Sequence, residues 1–353
     1  MDKITIQTEN PIRQDQLIRF REILRDGPVL ITTHANPDPD ALASGKAIGH
    51  LINTKWRIPN QLVYSGLVGR AENRAVLHFL TPEWQHIDQL ADLPKYSAII
   101  FVDCQPGSRN LVPIDENNPT LVIDHHYPIL EQTRRADYAD IRPNVGSTVT
   151  MIYQYLDAAQ VSIDPVLATA MFLGIRTDTN GLSRGATCED GVVYVKLLEK
   201  LDQQLLLKIE TAGLALEYYQ AFNLGMQNAR VHGKAVIAYL GNIHRPDMAA
   251  ELADLLFRYE NVHAALCSGV YKGVLHFSIR TGILDQDAGL LVQNVIFPPG
   301  SAGGHGIMAG GQIPLIGEDI SLLVLKLEGR FLESVGEVGR STPLLKNFRR
   351  EKI

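Results

Sequence analysis

The sequence predicts an α/β protein of two domains: a first domain built on a parallel sheet with helices on both faces, and a second, smaller α/β domain. Three observations carry this. The runs "VLITT" (29–33), "SAIIFVD" (97–103) and "TLVID" (120–124) are apolar without polar alternation, as strands covered on both faces are. Segments of helical periodicity separate them, which makes the connections crossovers rather than hairpins. A chain of 353 residues is long enough for two domains that each bury a core.

The elements follow in order. Residues 15–26 have helical spacing, and Gly27-Pro28 breaks the pattern before the first strand. Ala41–Ile52 reads as a helix, "QLVYSG" (61–66) as a strand and Glu72–Leu80 as a helix. From Val145 the pattern turns helical: "GSTVTMIYQYL" (146–156), then "DPVLATAMFLGI" (164–175) with Asp164 as N-cap and Pro165 at the first helical position, then 188–230. The first domain is placed at 1–200 and a helical connector at 201–230. The second domain, 231–330, has strands at "KAVIAYLG", "NVHAALCSGVYKGVLHFSIR" and "ISLLVLKLEG", with helices near 246–258 and 286–296. Residues 331–353 form a basic tail.

Composition excludes several function classes. With 45% hydrophobic and 20% charged residues the chain is globular, and no apolar run is long enough to span a bilayer. The N-terminus "MDKITIQTENPIRQDQLIRF" lacks a basic segment followed by an apolar one, so no export and a cytoplasmic location are expected. Cys104, Cys188 and Cys267 share no CxxC spacing and read as free thiols. A formal net charge of -6 disfavours long nucleic acid and leaves a small anionic substrate compatible.

The chemistry gathers where strands end. His34 lies just past the first strand, in "HANPDPD" (34–40), where Pro37 and Pro39 stiffen a turn bearing Asp38 and Asp40. Asp103 closes the next predicted strand of this kind, and Asp124-His125-His126 closes the third. Ligands of open α/β sheets collect at such carboxyl ends. A fourth element, "GIRTDTNGLSRGAT" (174–187), ends an apolar helix with Asp178 in a polar loop. His34, Asp38, Asp40, Asp103, His125 and Asp178 are too many donors for one ion. An oxygen-rich set with two imidazoles and no thiolate suits two divalent cations, manganese or magnesium first, with cobalt or iron also compatible. Two such ions are the apparatus of in-line displacement at phosphorus. Gly146-Ser147-Thr148 opens a helix and either offers N–H groups to a phosphate or is an ordinary cap by Ser147.

These residues resemble the DHH phosphoesterases, named for the triplet that stands here as Asp124-His125-His126. "HANPDPD", Asp103, the triplet and Asp178 match the family's motifs in order, and "GSAGGHGIMAGG" (300–311) is similar to the glycine-rich signature of the DHH-associated C-terminal domain. The resemblance spans about residues 15 to 330. It implies one metal held by His34 and Asp38, a second by Asp40 and His125, with Asp103 and Asp178 shared. It also implies that His126 touches the substrate phosphate and that Asp124 orients an imidazole. Arg280, Gly303, Gly304 and His305 would clamp a terminal phosphate, with the active site in the interdomain cleft. Pro39 stands where the family has glycine, and Ala302 and Met308 stand where smaller residues are common.

Within the superfamily the domain pattern is most similar to the nanoRNase and pAp phosphatase group. The expected activity is therefore manganese-dependent hydrolysis of short oligoribonucleotides, linear dinucleotides or 3'-phosphoadenosine 5'-phosphate, with magnesium or cobalt as alternative ions. A RecJ-type single-strand exonuclease, a manganese pyrophosphatase and a non-catalytic nucleotide sensor are the alternatives. No long duplex and no membrane partner is expected, and an edge strand in the smaller domain is compatible with a homodimer.

Overall fold

The structure, a computed structural model, describes residues 12, 14–25, 27–87, 95–108, 111, 120–283 and 287–345, and of His305 the backbone alone. The chain divides into a first unit ending at Ala212 and a second beginning at Gly213.

The first unit opens with α1 (Gln14–Leu24), β1 (Val29–Thr32), α2 (Pro39–Trp56), β2 (Asn60–Tyr64), α3 (Ala71–Phe79) and β3 (Gln85–His86). It continues with β4 (Ala98–Val102), β5 (Thr120–Asp124), α4 (Glu131–Arg134), β6 (Tyr138–Ile141), α5 (Thr148–Ala158), α6 (Pro165–Asp178), α7 (Cys188–Leu198) and α8 (Gln203–Glu210). The described strands form one six-stranded sheet in the order β3-β2-β1-β4-β5-β6, with every pair parallel. The order reverses between β1 and β4, the place where doubly wound sheets open a crevice for ligands.

Burial explains why these runs lack polar alternation. Val29 and Ile31, Ile100 and Val102, and Leu121 and Ile123 pack into a large core with α1, α2, α3, α5, α6 and α7. Their neighbours Leu30, Ile99, Phe101 and Val122 pack on the opposite face with Ile87 and Cys104. Both sets of alternate side chains therefore leave water, which a one-sided sheet does not require. Asp164 caps α6 by accepting from the Leu167 N–H, with Pro165 in the first turn.

The second unit contains α9 (Leu216–Asn228), β7 (Arg230–His232), β8 (Ala235–Asn242), α10 (Asp247–Leu256), β9 (Ala264–Tyr271), β10 (Val274–Thr281), α11 (Ala288–Val295), β11 (Ser301–His305), β12 (Met308–Pro314), α12 (Ile320–Ser334) and β13 (Ser341–Pro343). Its seven-stranded sheet runs β11-β12-β10-β9-β8-β7-β13. The β8–β9 pair is parallel and the others are antiparallel. One face packs against α11 and α12, the other against α9 and α10.

The structure corrects one expectation and adds detail to three other stretches. "ISLLVLKLEG", expected as a strand, is part of α12: Leu323, Val324, Leu327 and Phe331 fall on one buried helical face while Leu322 and Leu325 are exposed. Asp319 caps it through Ser321 N–H. A short apolar run fits either element, and length and capping decide. The stretch read as a connector is shared, with Ile209 of α8 in the first unit's core and Ala221 of α9 in the second's. The glycine-rich stretch is an edge hairpin of β11 and β12; a Cβ on Gly304 would lie 2.4 Å from the Met308 carbonyl oxygen, so close strand approach requires glycine there. Residues 331–334 complete α12, β13 pairs with β7, and the basic residues from Lys346 onward lie outside the described residues.

Candidate metal centre

Local rules of chain folding bring the acidic and imidazole side chains to the carboxyl rim of the first sheet. Pro39 occupies the first turn of α2, where its missing N–H costs nothing, and Asp38 caps that helix by accepting from Ala41 N–H at 3.1 Å. Asp40 therefore sits in the first turn of α2, fully buried. Asp103 follows β4 with φ +56°, a left-handed conformation that aspartate tolerates better than most residues. Its amide still donates to the Ile123 carbonyl at 3.0 Å, which ties it to β5. Asp178 is the last residue of α6.

Three donor sets result, each with ligand atoms within 4.8 Å of one another: His34, Asp38 and Asp103; Asp40, Asp103, His125 and Asp178; and Asp103, His125 and His126. Asp103 is common to all three, and Asp178 stands in one.

The imidazoles are oriented as ligands. His34 Nδ1 lies 3.0 Å from the Ala35 carbonyl oxygen and His125 Nδ1 lies 3.0 Å from that of Val145. A carbonyl only accepts, so each Nδ1 carries a proton and each Nε2 is the nitrogen that can offer a lone pair to a metal once the ring is neutral. His34 Nε2 lies 3.5 Å from Asp103 Oδ2. His125 Nε2 lies 3.5 Å from Asp103 Oδ1 and 3.2 Å from Asp178 Oδ2, yet it is buried without a hydrogen-bond partner. A buried lone pair facing carboxylates is repulsive unless a cation or a proton lies between them, so these residues fit a divalent metal. Four carboxylates and no thiolate favour hard to borderline ions.

The remaining partners hold the donors in place. Thr148 N–H and Val149 N–H donate to the two oxygens of Asp40 at 2.7 and 2.9 Å, and Thr148 Oγ1 donates to Asp103 Oδ1 at 2.9 Å. Those α5 amides are thus engaged with Asp40, and Ser147 caps the helix through Thr150 N–H. Asp124 is fully buried; it accepts from Gln105 Nε2 at 2.9 Å and holds His126 Nδ1 at 2.7 Å. His126 keeps 48% of its side chain exposed, and its Nδ1 is taken up by Asp124. Gln105 escaped sequence reasoning, its position two residues past Asp103 being the available signal, and Thr148 was read as part of a phosphate cradle or cap and not as a donor to Asp103 and Asp40.

In the second unit Arg280 is buried, with Nε donating to Asp254 at 2.5 Å and Nη1 to Ser278 Oγ at 2.7 Å and the Ile279 carbonyl at 2.9 Å. The structure thus commits its guanidinium to partners within that unit. Gly303 and Gly304 are exposed in β11, and His305 is the last residue of that strand.

Electrostatics follow from the crowding. Burial alone would lower the pKa of His34, but Asp103 and Asp38 raise it to about 10. Burial opposes the same rise at His125, where Asp178, Asp103 and Asp40 bring it to about 11. Burial, with Asp178 and Asp103, raises Asp38 to about 6, and burial with the same neighbours raises Asp40 well above the usual range. Burial would also raise Asp103, but His34, His126 and His125 hold it below the usual carboxylate range.

A cation must therefore displace protons. At pH 7 the metal-free centre carries protonated His34 and His125, and metal ligation needs both neutral. Manganese binding at pH 7 is expected to release at least two protons, from His34 and His125, and affinity to strengthen as pH rises toward 10. Calorimetry in buffers of differing ionisation enthalpy measures the release; a value of zero would remove both imidazoles from the ligand set.

Fold and centre together define an α/β protein with a candidate divalent-metal site at the switch point of a parallel sheet. Residues 28–175 match the DHH family, N-terminal domain, so this part of the chain is a DHH-family domain. An uncharacterized protein of Methanocaldococcus jannaschii is 31% identical over 292 residues, which are 82% of this chain and 59% of that protein's length. A probable manganese-dependent inorganic pyrophosphatase of Streptococcus agalactiae is 23% identical over 273 residues, 74% of this chain and 85% of that protein. The crystal structure of an exopolyphosphatase-related protein from Bacteroides fragilis shares the fold, with a TM-score of 0.75 over 93% of this chain and 98% of that one at 15% identity. No described helix is long and apolar enough to cross a membrane.

Proposed function

We propose that the chain is a manganese-dependent phosphodiesterase or phosphatase that hydrolyses short oligoribonucleotides, linear dinucleotides or 3'-phosphoadenosine 5'-phosphate by in-line attack of water at phosphorus. The observation that carries this is Asp103, whose carboxylate belongs to every donor set while His125 Nε2 faces it unpartnered. In this reading His34 and Asp38 hold one cation and Asp40, His125 and Asp178 the other, with Asp103 between them. Divalent cations supply a water of lowered pKa and neutralise phosphoryl oxygens. His126, fixed through Nδ1 by Asp124, turns Nε2 toward a non-bridging phosphate oxygen. Asp124 and Gln105 keep that imidazole from rotating away. The edge hairpin of the second unit, with Gly303, Gly304 and His305, is the segment of that unit proposed to bind substrate.

Short substrates are supported by the net charge of -6, which repels a long polyanion but not a di- or trinucleotide neutralised locally. Hydrolysis of inorganic pyrophosphate is a second reading, favoured by the name of the streptococcal relative. One panel with manganese separates the readings: linear dinucleotides, a five-nucleotide RNA, 3'-phosphoadenosine 5'-phosphate, pyrophosphate and a long single strand. Preference for the short nucleotides is the expected result. Preference for pyrophosphate selects the second reading, rapid digestion of the long strand a RecJ-type exonuclease, and tight binding without turnover a sensor.

A further inference from the structure

The first turn of α7 contributes no candidate ligand, yet it is among the most heavily bonded parts of the first unit. Asp190 is fully buried. Its Oδ2 accepts from Gly146 N–H at 2.9 Å, Thr187 N–H at 2.8 Å and Thr187 Oγ1 at 2.7 Å, and its Oδ1 accepts from Thr150 Oγ1 at 2.6 Å. The bonds to Thr187 are a local capping box for α7. Capping does not explain the two bonds that reach Gly146 and Thr150, some forty residues earlier in the chain.

Glu189 points the same way. It accepts from Gln154 Nε2 at 2.9 Å, Gln154 Oε1 accepts from Arg142 Nη1 at 2.6 Å, and Arg142 grips Asp140 with Nε and Nη2 at 2.8 and 2.7 Å. The segment from Arg142 to Val149 is thereby anchored at Arg142, at Gly146 and, one residue beyond, at Thr150.

That segment aims three candidate ligands. The Val145 carbonyl accepts from His125 Nδ1 and sets that ring's tautomer. The Thr148 and Val149 amides fix both oxygens of Asp40, and Thr148 Oγ1 fixes Asp103. We infer that Asp190, assisted by Glu189, is a positioning residue of the metal centre: it holds segment 142–149 so that His125, Asp40 and Asp103 converge. The inference rests on the proposed metal site, which it deepens by naming what makes that site rigid.

The test is a manganese titration of the purified 353-residue chain, wild type against Asp190→Ala, with Asp202→Ala as control. Asp202 caps α8 through Gln204 and Leu205 N–H and makes no bond to segment 142–149. Asp190→Ala is expected to weaken manganese binding about 10- to 100-fold, as loss of outer ligand supports does, while Asp202→Ala lowers thermal stability and leaves affinity within about twofold. Asp190→Asn, whose amide oxygen still accepts from Gly146 and Thr187, should recover most of the affinity. Should Asp190→Ala not fold, Gly146→Ala disturbs the same contact from the other side, since its Cβ would lie 2.8 Å from Asp190 Oδ2; the same loss is expected. Wild-type affinity in a folded Asp190→Ala or Gly146→Ala, or equal weakening in Asp202→Ala, overturns the positioning role alone. Absence of manganese binding by the wild type overturns the metal site and this inference together.

Discussion

Replacing Asp103 with alanine is expected to reduce manganese-dependent turnover of whichever substrate the wild type prefers by about a thousandfold or more, the scale of losing metal-assisted charge stabilisation worth several kcal/mol. No other candidate carries as much. Asp38 and Asp178 each serve one donor set, whereas Asp103 serves all three, and it is the acceptor for Thr148 Oγ1. In the proposed two-ion arrangement, loss of its carboxylate would remove the donor that both cations share.

The fold should survive. The Asp103 amide bond to Ile123 is a backbone interaction, and the packed strands on either side do not depend on the side chain. Alanine at φ +56° costs about 1 kcal/mol more than aspartate or glycine, so Asp103→Gly is the matched control for backbone strain. Both variants should give a native circular dichroism spectrum, show no high-affinity manganese uptake and be inactive. Wild-type activity in either purified variant would sink the assignment of Asp103 as the shared ligand.

Much of this site was visible in the sequence because its donors terminate strands. A run such as "TLVID" announces both its burial and its end, so His34, Asp103 and the triplet at 124–126 could be placed on one rim before any geometry was known. What stayed hidden acts across long sequence separations. Asp190 carries a recognisable local cap with Thr187, but nothing near it in the chain points to Gly146. The "GST" turn reads equally as a phosphate cradle, and only the fold shows its amides committed to Asp40. Edge elements were also illegible: β6 is four residues of mixed polarity, and the β11–β12 hairpin is built largely from glycine and alanine, which signal turns or helices in isolation. In α12 an apolar run imitated a strand until its burial pattern showed a helical period.

Stripping divalent cations is expected to lower the unfolding temperature of the first unit by about 10–20 °C, reversibly on adding manganese. On the proposed two-ion reading, each ion at a hundredfold excess over its dissociation constant would contribute about 2.7 kcal/mol, and a unit of this length loses about 2–4 °C per kcal/mol. The physical source is the crowding of Asp38, Asp40, Asp103 and Asp178, which in the metal-free protein draws protons onto His34 and His125 and, together with burial, raises the pKa of Asp40. Those protonated contacts partly replace the metal at low pH. Both imidazoles have folded values above 6.5, so their contribution is present below that pH and fades as pH rises through about 10 to 11. The gap between metal-free and manganese-loaded protein should therefore be small at pH 5 and widen toward pH 9. Differential scanning calorimetry with and without chelator across that range measures it. Asp103→Ala should show almost no gap at any pH, which separates the specific centre from general stabilisation by divalent salt; a gap of wild-type size in that variant would mean that manganese binds elsewhere.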